Sequence, residues 1–130
     1  MKAIQRAAGE FEIVVGADAG EVERFAAAEL ADCLGRASGA RIPVVDEASP
    51  GRARIVLGGA AARLLPDWGE LKAKVRHDGF VSSSSGDALL ICGAEPRGTL
   101  NGVYDFLAEL GFRWVFPRES EHVVPVVKAL

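Results

Sequence analysis

The sequence predicts an α+β fold of two layers, in which a mixed sheet of about four to six strands carries two main helices on one face. Two long segments each show a single apolar stripe at helical spacing, so each is expected to bury one side. Shorter apolar runs, which are typical of strands, lie around these two segments and are more numerous than they are. Two of the runs are joined by a short polar turn, and the hairpin they predict makes the sheet mixed.

The first half of the chain predicts one long helix among three strands. Asp18 and Glu21 have the spacing of a capping box, and the helix is expected to run to about Ala37, with Gly39 at its end. The residues of its apolar face are Val22, Phe25, Ala26, Leu30, Cys33, Leu34 and Ala37. The strands are Phe11–Val15, Ile42–Val45 and Arg54–Leu57, with a turn at Pro50-Gly51.

The second half predicts a short helix, a hairpin, a second long helix and a last strand. Pro66 to about Lys74 is the short helix. Pro96 fits the first turn of the long helix because proline has a preset φ and no amide hydrogen, and Gly111 ends that helix. Its apolar residues are Leu100, Val103, Tyr104, Leu107 and Leu110. The hairpin strands are Asp78–Ser83 and Asp87–Cys92, turning through Ser84–Gly86, and the last strand is Phe112–Phe116.

Composition narrows the class of protein. A chain of 130 residues with 49% hydrophobic content is one domain of ordinary size with a real core, which excludes disorder. Net charge is −3 with acids and bases interspersed, so no nucleic acid partner is expected. No apolar run approaches the ~20 residues that span a bilayer, and no membrane partner is expected. Cys33 and Cys92 lie in apolar patterns and are expected to be free and buried.

No catalytic constellation is visible, and no cofactor or metal site is expected. Glycoside hydrolysis needs two carboxylates facing each other at ~5 to 10 Å, whereas the acids here fall on predicted helix surfaces and in turns. His77 and His122 have no metal-binding spacing, and neither a CxxC pair nor a GxSxG elbow is present. The segment GAEPRGT opens a helix as a phosphate loop would, but it lacks the lysine of that motif. Arg97 could hold an anion there, although a structural role is favoured.

Several residues are expected to be structural. Glu29 falls at the centre of the first helix's apolar stripe, where an unpaired carboxylate would be costly, so an arginine partner is predicted. Arg97 is the preferred partner and Arg113 the second choice. Gly98 and Gly102 lie four apart on one face of the second long helix, which leaves a notch for close packing of another backbone.

The two tryptophans raise the question of sugar stacking. Trp114 lies in a strand context beside Val115 and Phe116, which favours core or interdomain packing. Trp68 follows Pro66 and Asp67 in a predicted loop and is the better candidate for an exposed ring.

The motifs together carry a family resemblance. From about Glu12 to Pro125 the chain resembles the N-terminal α/β domain of family 67 α-glucuronidases, a domain type that also precedes the barrel in family 20 β-hexosaminidases. The specific part is PRGTLNGVYDFLAELGFRW; the more common parts are IVVG, AAAEL, SGARIPVV, RIVLGG and DGF. The resemblance implies one domain over residues 1–130, with a core from Phe11 to Pro125, followed in the parent enzyme by a (β/α)₈ barrel that carries the catalytic carboxylates.

Two functions follow from that resemblance. The first is a non-catalytic accessory domain that supports the following barrel of a polysaccharide-degrading enzyme, with Trp114, Phe116 and Val123–Val127 in an apolar docking patch. The alternative is an independent carbohydrate-binding module, which would need a polar groove with at least two exposed rings such as Trp68 and Trp114. Expected partners are the barrel, a carbohydrate, or a second copy docked on the barrel-facing surface. The parent is expected to be a bacterial, exported or periplasmic enzyme, although the N-terminus lacks the apolar core of a signal peptide.

Overall fold

The structure is a computed structural model that describes residues 10–76 and 78–112. This part of the chain contains one five-stranded sheet and four helices. The strands are Phe11–Val15 (β1), Val44–Val45 (β2), Ala53–Leu57 (β3), Phe80–Ser85 (β4) and Ala88–Gly93 (β5). The helices are Glu21–Ser38 (α1), Gly59–Ala62 (α2), Trp68–Lys74 (α3) and Pro96–Glu109 (α4).

The sheet is mixed, as predicted. Its order is β2-β1-β3-β5-β4, and every neighbouring pair is parallel except β4 and β5, which form the antiparallel hairpin. The two long helices α1 and α4 pack side by side on one face of this sheet. The predicted two-layer α+β arrangement is therefore confirmed.

One face of the sheet, here called the helix face, holds the larger apolar core. Side chains alternate between the two faces along each strand, so every second strand residue points toward α1 and α4. The strand residues of this core are Phe11, Ile13, Val15, Ala53, Ile55, Leu57, Leu89 and Ile91. From the helices, Leu30, Leu34, Val103 and Leu107 are fully buried against them.

The other face, here called the far face, holds a smaller core. Val14, Val56, Leu90 and Cys92 alternate with the residues of the helix face and form this second cluster. Ala61 of α2 and the nearby Leu65 cover it, and Trp68 packs against it half-buried. The two short helices thus cover a smaller apolar area than the two long ones.

The start of α1 differs from the prediction. Gly20 is the N-cap residue and no side chain caps the helix, so the predicted capping box of Asp18 and Glu21 is wrong. Asp18 instead accepts a 2.7 Å hydrogen bond from Arg63 in an exposed ion pair. The end of α1 is as predicted, because Gly39 takes a left-handed conformation with φ 74° and its N–H bonds to Gly35.

Other element bounds differ modestly. Strand β2 is only two residues long, and the short α2 after β3 was not predicted. Trp68 begins α3 and does not lie in a loop. Helix α4 starts with Pro96 at its first position, as predicted. Phe112 is buried but lies outside any strand, and the rest of the predicted strand at 113–116 lies outside the described residues.

Both cysteines are free and Cys92 is buried, as predicted, whereas Cys33, which was also predicted to be buried, is only half-buried. Burial raises the pKa of each thiol to about 11, and the carboxylates nearest to each of them add to the shift. Within residues 10–76 and 78–112, no helix is long and apolar enough to cross a bilayer.

Candidate functional site

The outer side of α1 exposes apolar side chains to water. Val22 is 40% exposed and Phe25 is 51% exposed, although both were predicted to lie in the buried stripe. The two residues are three apart and Phe25 is four before Glu29, so all three share one side of the helix. Val22 and Phe25 are here called the outer patch of α1. The sequence placed them in the core because their spacing fits the stripe, but the side of α1 that is buried contains Ala26, Ala27, Leu30, Leu34 and Ala37.

Glu29 pairs with a tyrosine across the two helices. The Tyr104 hydroxyl of α4 donates to Glu29 Oε2 at 3.4 Å, and both residues are half-buried. Burial raises the pKa of the Tyr104 phenol, and the Glu29 carboxylate raises it further. A phenol therefore links α1 to α4 next to the outer patch.

The predicted ion pair between Glu29 and Arg97 is absent from the described residues, where Arg97 is exposed. Arg97 precedes Tyr104 by seven residues, which is about 10 Å along the helix axis, and Tyr104 is the residue at the level of Glu29. Arg113, the second predicted partner, lies outside the described residues. The sequence predicts that Glu29 needs a polar neighbour. The identity of that neighbour depends on how α1 and α4 are shifted relative to each other along their axes.

The notch at Gly98 and Gly102 is filled by tight packing. A Cβ at Gly98 would overlap the carbonyl oxygen of Gly79. A Cβ at Gly102 would lie 2.5 Å from Ile91 Cγ2 and 3.0 Å from the ring of Phe80. The missing side chains therefore let α4 lie directly on β5 and on the start of β4.

The GAEPRGT turn is closed by its own hydrogen bonds. Gly93 N–H donates to the buried Thr99 Oγ1 at 2.9 Å, and the Gly98 N–H donates to the carbonyl of Glu95 at 2.9 Å. A Cβ at Gly93 would collide with the backbone of this turn. These contacts give the motif a structural role at the junction of β5 and α4.

Only Trp68 of the two tryptophans lies within the described residues. Trp68 rests half-buried on the far-face cluster beside Leu65 and Ala61, so only part of its ring faces water. Trp114, Phe116 and Val123–Val127 lie outside the described residues, and the predictions made for them stay predictions.

A buried carboxylate on the far face was missed by the sequence analysis. Glu12, in the middle of β1, is 1% exposed and accepts a 2.6 Å hydrogen bond from the Ser49 N–H. Arg52 Nε lies 3.6 Å from its other oxygen, and Arg52 also donates to the Phe11 carbonyl at 2.7 Å. An acid inside the run FEIVV was the available signal, since a charged residue in a buried strand needs partners.

The carboxyl ends of β1 and β3 meet in a small polar cluster. Asp18 and Arg63 pair at 2.7 Å, and Glu23 receives a hydrogen bond from the Gly59 amide. Burial raises the pKa of Glu23, and the Asp18 carboxylate adds to this, while the Gly59 amide and Arg63 oppose it. The cluster fixes α1 to the turn that follows β3.

An open groove lies between the end of α3, the start of β4 and the start of α4. One part, of about 500 Å³, is lined by Val75, Arg76, Asp78, Gly79, Phe80 and Asn101. An adjoining part, of about 630 Å³, shares Val75, Arg76 and Asp78 with it and adds Lys72, Ala94 and Glu95. Asn101 Nδ2 donates to the Asp78 carbonyl at 3.0 Å and joins α4 to the groove.

No acid, histidine and cysteine cluster able to hold a metal ion occurs among residues 10–76 and 78–112. The features that could contact a partner in this part of the chain are the outer patch of α1 and the groove with its neighbouring strand edge. Both features lie on the surface of the domain.

Comparison with known proteins finds the fold in a larger enzyme. No protein-family model matches the chain, and no curated protein matches it. Two structures of the Streptomyces plicatus β-hexosaminidase, a mutant with its product GlcNAc and a complex with Thio-NAglucal, each have a TM-score of 0.57 and 22% identity. A GH138 enzyme targeting pectin rhamnogalacturonan II has a TM-score of 0.49 and 18% identity.

The chain is much shorter than these proteins. The match covers 83% of this chain but only 18% of the hexosaminidase chain, and 78% of this chain but 14% of the GH138 enzyme. At 22% identity the hexosaminidase shows a shared fold. The resemblance to family 67 α-glucuronidases remains a prediction from the motifs.

Proposed function

We propose that this chain is a non-catalytic accessory domain of a glycoside hydrolase and that it packs against the (β/α)₈ barrel of its parent enzyme. The observation that carries the proposal is the outer patch of α1, which leaves Val22 and Phe25 in water on the helix layer. The shared fold supports it, because in the hexosaminidase the matching segment is 18% of a longer chain.

The outer patch has the chemistry of a docking surface. Two of the four large hydrophobic residues exposed in the described part of the chain are Val22 and Phe25, less than one helical turn apart. Covering the exposed portions of both side chains would contribute about 1–2 kcal/mol to association. The Glu29–Tyr104 pair beside them supplies a polar rim, which is the usual surrounding of an apolar interface centre.

A finer assignment rests on the sequence motif. PRGTLNGVYDFLAELGFRW supports an α-glucuronidase-like parent that acts on a polysaccharide such as xylan. Gly98 and Thr99 of this motif lie at the junction between β5 and α4. The motif therefore supports a domain type, and the substrate belongs to the barrel.

The proposal is tested by reading the parent gene beyond codon 130 and expressing the encoded barrel as a separate polypeptide. We expect the barrel to bind this domain, and Phe25→Asp to weaken binding by about tenfold or more, because a charge would be buried in an apolar contact. Leu64→Asp is the matched control, since Leu64 is 55% exposed and lies after α2, outside the outer patch. A gene without a barrel, or equal effects of the two substitutions, would overturn the proposal.

A further inference from the structure

The outer edge of β4 is a second candidate binding surface of the described residues. Strand β4 is at the end of the sheet, and no strand among the described residues pairs with its outer side. Its six residues, FVSSSS, include no charge and no proline. Natural proteins commonly place charged residues and prolines on edge strands to prevent pairing with another chain. An edge without them can accept a strand.

The backbone groups that face outward can be assigned from the neighbouring strands. Arg54 N–H donates to the Asp87 carbonyl and Gly58 N–H donates to the Ile91 carbonyl, both at 2.9 Å, so the odd-numbered residues of β5 face β3. The even-numbered residues of β5 must then bond to β4, and their partners are Val81, Ser83 and Ser85. Phe80, Ser82 and Ser84 therefore direct their N–H and C=O groups to the outer edge of the described sheet.

Helix α4 forms a wall beside this edge. It packs on the start of β4 through Gly98 and Gly102 and runs in the same direction as β4, because both begin at the carboxyl end of β5. Asn101, Asp105 and Glu109 follow at four-residue spacing on the flank of α4 next to the notch, and the two acids are exposed. The flank of α4 beside the outer edge of β4 is therefore acidic.

The groove begins where the edge begins. Its 500 Å³ part is lined by the apolar residues Val75 and Phe80 and by the polar residues Arg76, Asp78 and Asn101. In strand addition, main-chain hydrogen bonds supply affinity and a side-chain pocket supplies selectivity. The outer edge of β4 and the pocket are adjacent, because Phe80 belongs to both, as that mode of binding requires.

We propose that the outer edge of β4 binds an extended, lysine- or arginine-bearing segment of a partner protein, which adds a sixth strand to the sheet and places one side chain in the groove. The segment bonds to the outward groups of Phe80, Ser82 and Ser84. Its basic side chains face Asp105 and Glu109. This surface is separate from the outer patch of α1, so the proposal does not depend on the accessory-domain function.

The test selects a displayed library of random octapeptides on the full chain and titrates the most enriched peptides by amide chemical shifts. We expect enriched peptides to carry basic residues and to shift the amides of Phe80, Ser82 and Ser84. Ser82→Pro removes an outward N–H and is expected to weaken binding by about tenfold. Ser82→Ala, which changes only the side chain, is expected to bind as the wild type does.

A second variant tests the charge without touching the strand. Asp105→Lys combined with Glu109→Lys is expected to weaken binding of the same peptides by about three- to tenfold, and it decides the question if Ser82→Pro does not fold. The proposal is overturned if no peptide is enriched, or if binding survives both changes. It is also overturned if β4 shifts report self-association of the chain, or if only oligosaccharides bind the groove and leave the edge amides unmoved.

Discussion

The two faces of the sheet are built by different means. The helix face is covered by two long helices and contains a single large apolar cluster that includes Ile13, Ile55 and Leu107. The far face is covered by two short helices, has a smaller cluster, and buries Glu12 with a hydrogen bond from Ser49 and an ion pair with Arg52. The first face relies on close packing, whereas the second relies partly on polar contacts.

The two faces differ in the contacts on which the stability of the domain depends. On the helix face, α4 approaches the sheet so closely that Gly98 has no room for a Cβ, so geometry there depends on backbone contact. On the far face, a single carboxylate joins β1 to the segment before β3. Substitutions at Gly98 and at Glu12 should therefore lower the free energy of unfolding for different reasons, steric overlap at Gly98 and lost polar contacts at Glu12, and by different amounts.

The largest effect is expected from Gly98→Ala on the helix face. The added methyl group would overlap the Gly79 carbonyl oxygen, and neither backbone can move without separating α4 from β4. We expect the free energy of unfolding, measured in urea, to fall by about 3 kcal/mol. Gly69→Ala in α3 is the control, because nothing lies within 4 Å of its Cβ position and alanine should raise stability by about 0.5–1 kcal/mol. Similar losses at the two sites would contradict the close approach of α4.

An intermediate effect is expected from Glu12→Ala on the far face. The change leaves the Ser49 amide without its 2.6 Å acceptor and removes the carboxylate beside Arg52, so stability should fall by about 2 kcal/mol. Asp32→Ala breaks the exposed pair with Arg36, which has a 3.2 Å separation, and should cost less than about 0.5 kcal/mol. If the two losses are equal in urea unfolding, Glu12 does not hold the far face together.

The smallest effect concerns the link between α1 and α4. Tyr104 is the only tyrosine of the chain, so ultraviolet absorbance follows its ionisation directly. We expect its pKa to lie above the usual value of about 10, mainly through burial, and Glu29→Gln to lower it part of the way back. Glu21→Gln, at the exposed start of α1, should leave the pKa unchanged.

The same titration predicts a pH dependence of stability. The folded state holds the phenol proton more tightly than the unfolded chain does, so the stabilisation is fully present below about pH 10 and is lost as the pH rises through the raised pKa. A Tyr104 pKa that does not respond to Glu29→Gln would show that the two helices are not linked by this pair.

Much of the helix face could be predicted from the sequence. The spacing of Leu30, Leu34, Val103 and Leu107 predicted two helices with one buried side each, and Pro96 and Gly39 marked where they start and end. Such signals are local, because helix periodicity and end residues act within a few positions along the chain. The exposure of Val22 and Phe25 could not be predicted in this way, since periodicity shows which residues share a side of a helix and not which of them the neighbouring elements cover.

By itself, the sequence determined the class of fold, the mixed sheet with its hairpin, the free state of both cysteines and the glycine notch on α4. Only the tertiary structure decided which polar groups meet: Tyr104 with Glu29, Ser49 and Arg52 with Glu12, and Arg63 with Asp18. It also decided that β4 lies at the end of the described sheet and that its first residue, Phe80, lines a groove. The physical reason is that element type follows from short-range spacing, whereas these contacts join residues 37 to 75 positions apart or depend on how α4 lies against the sheet.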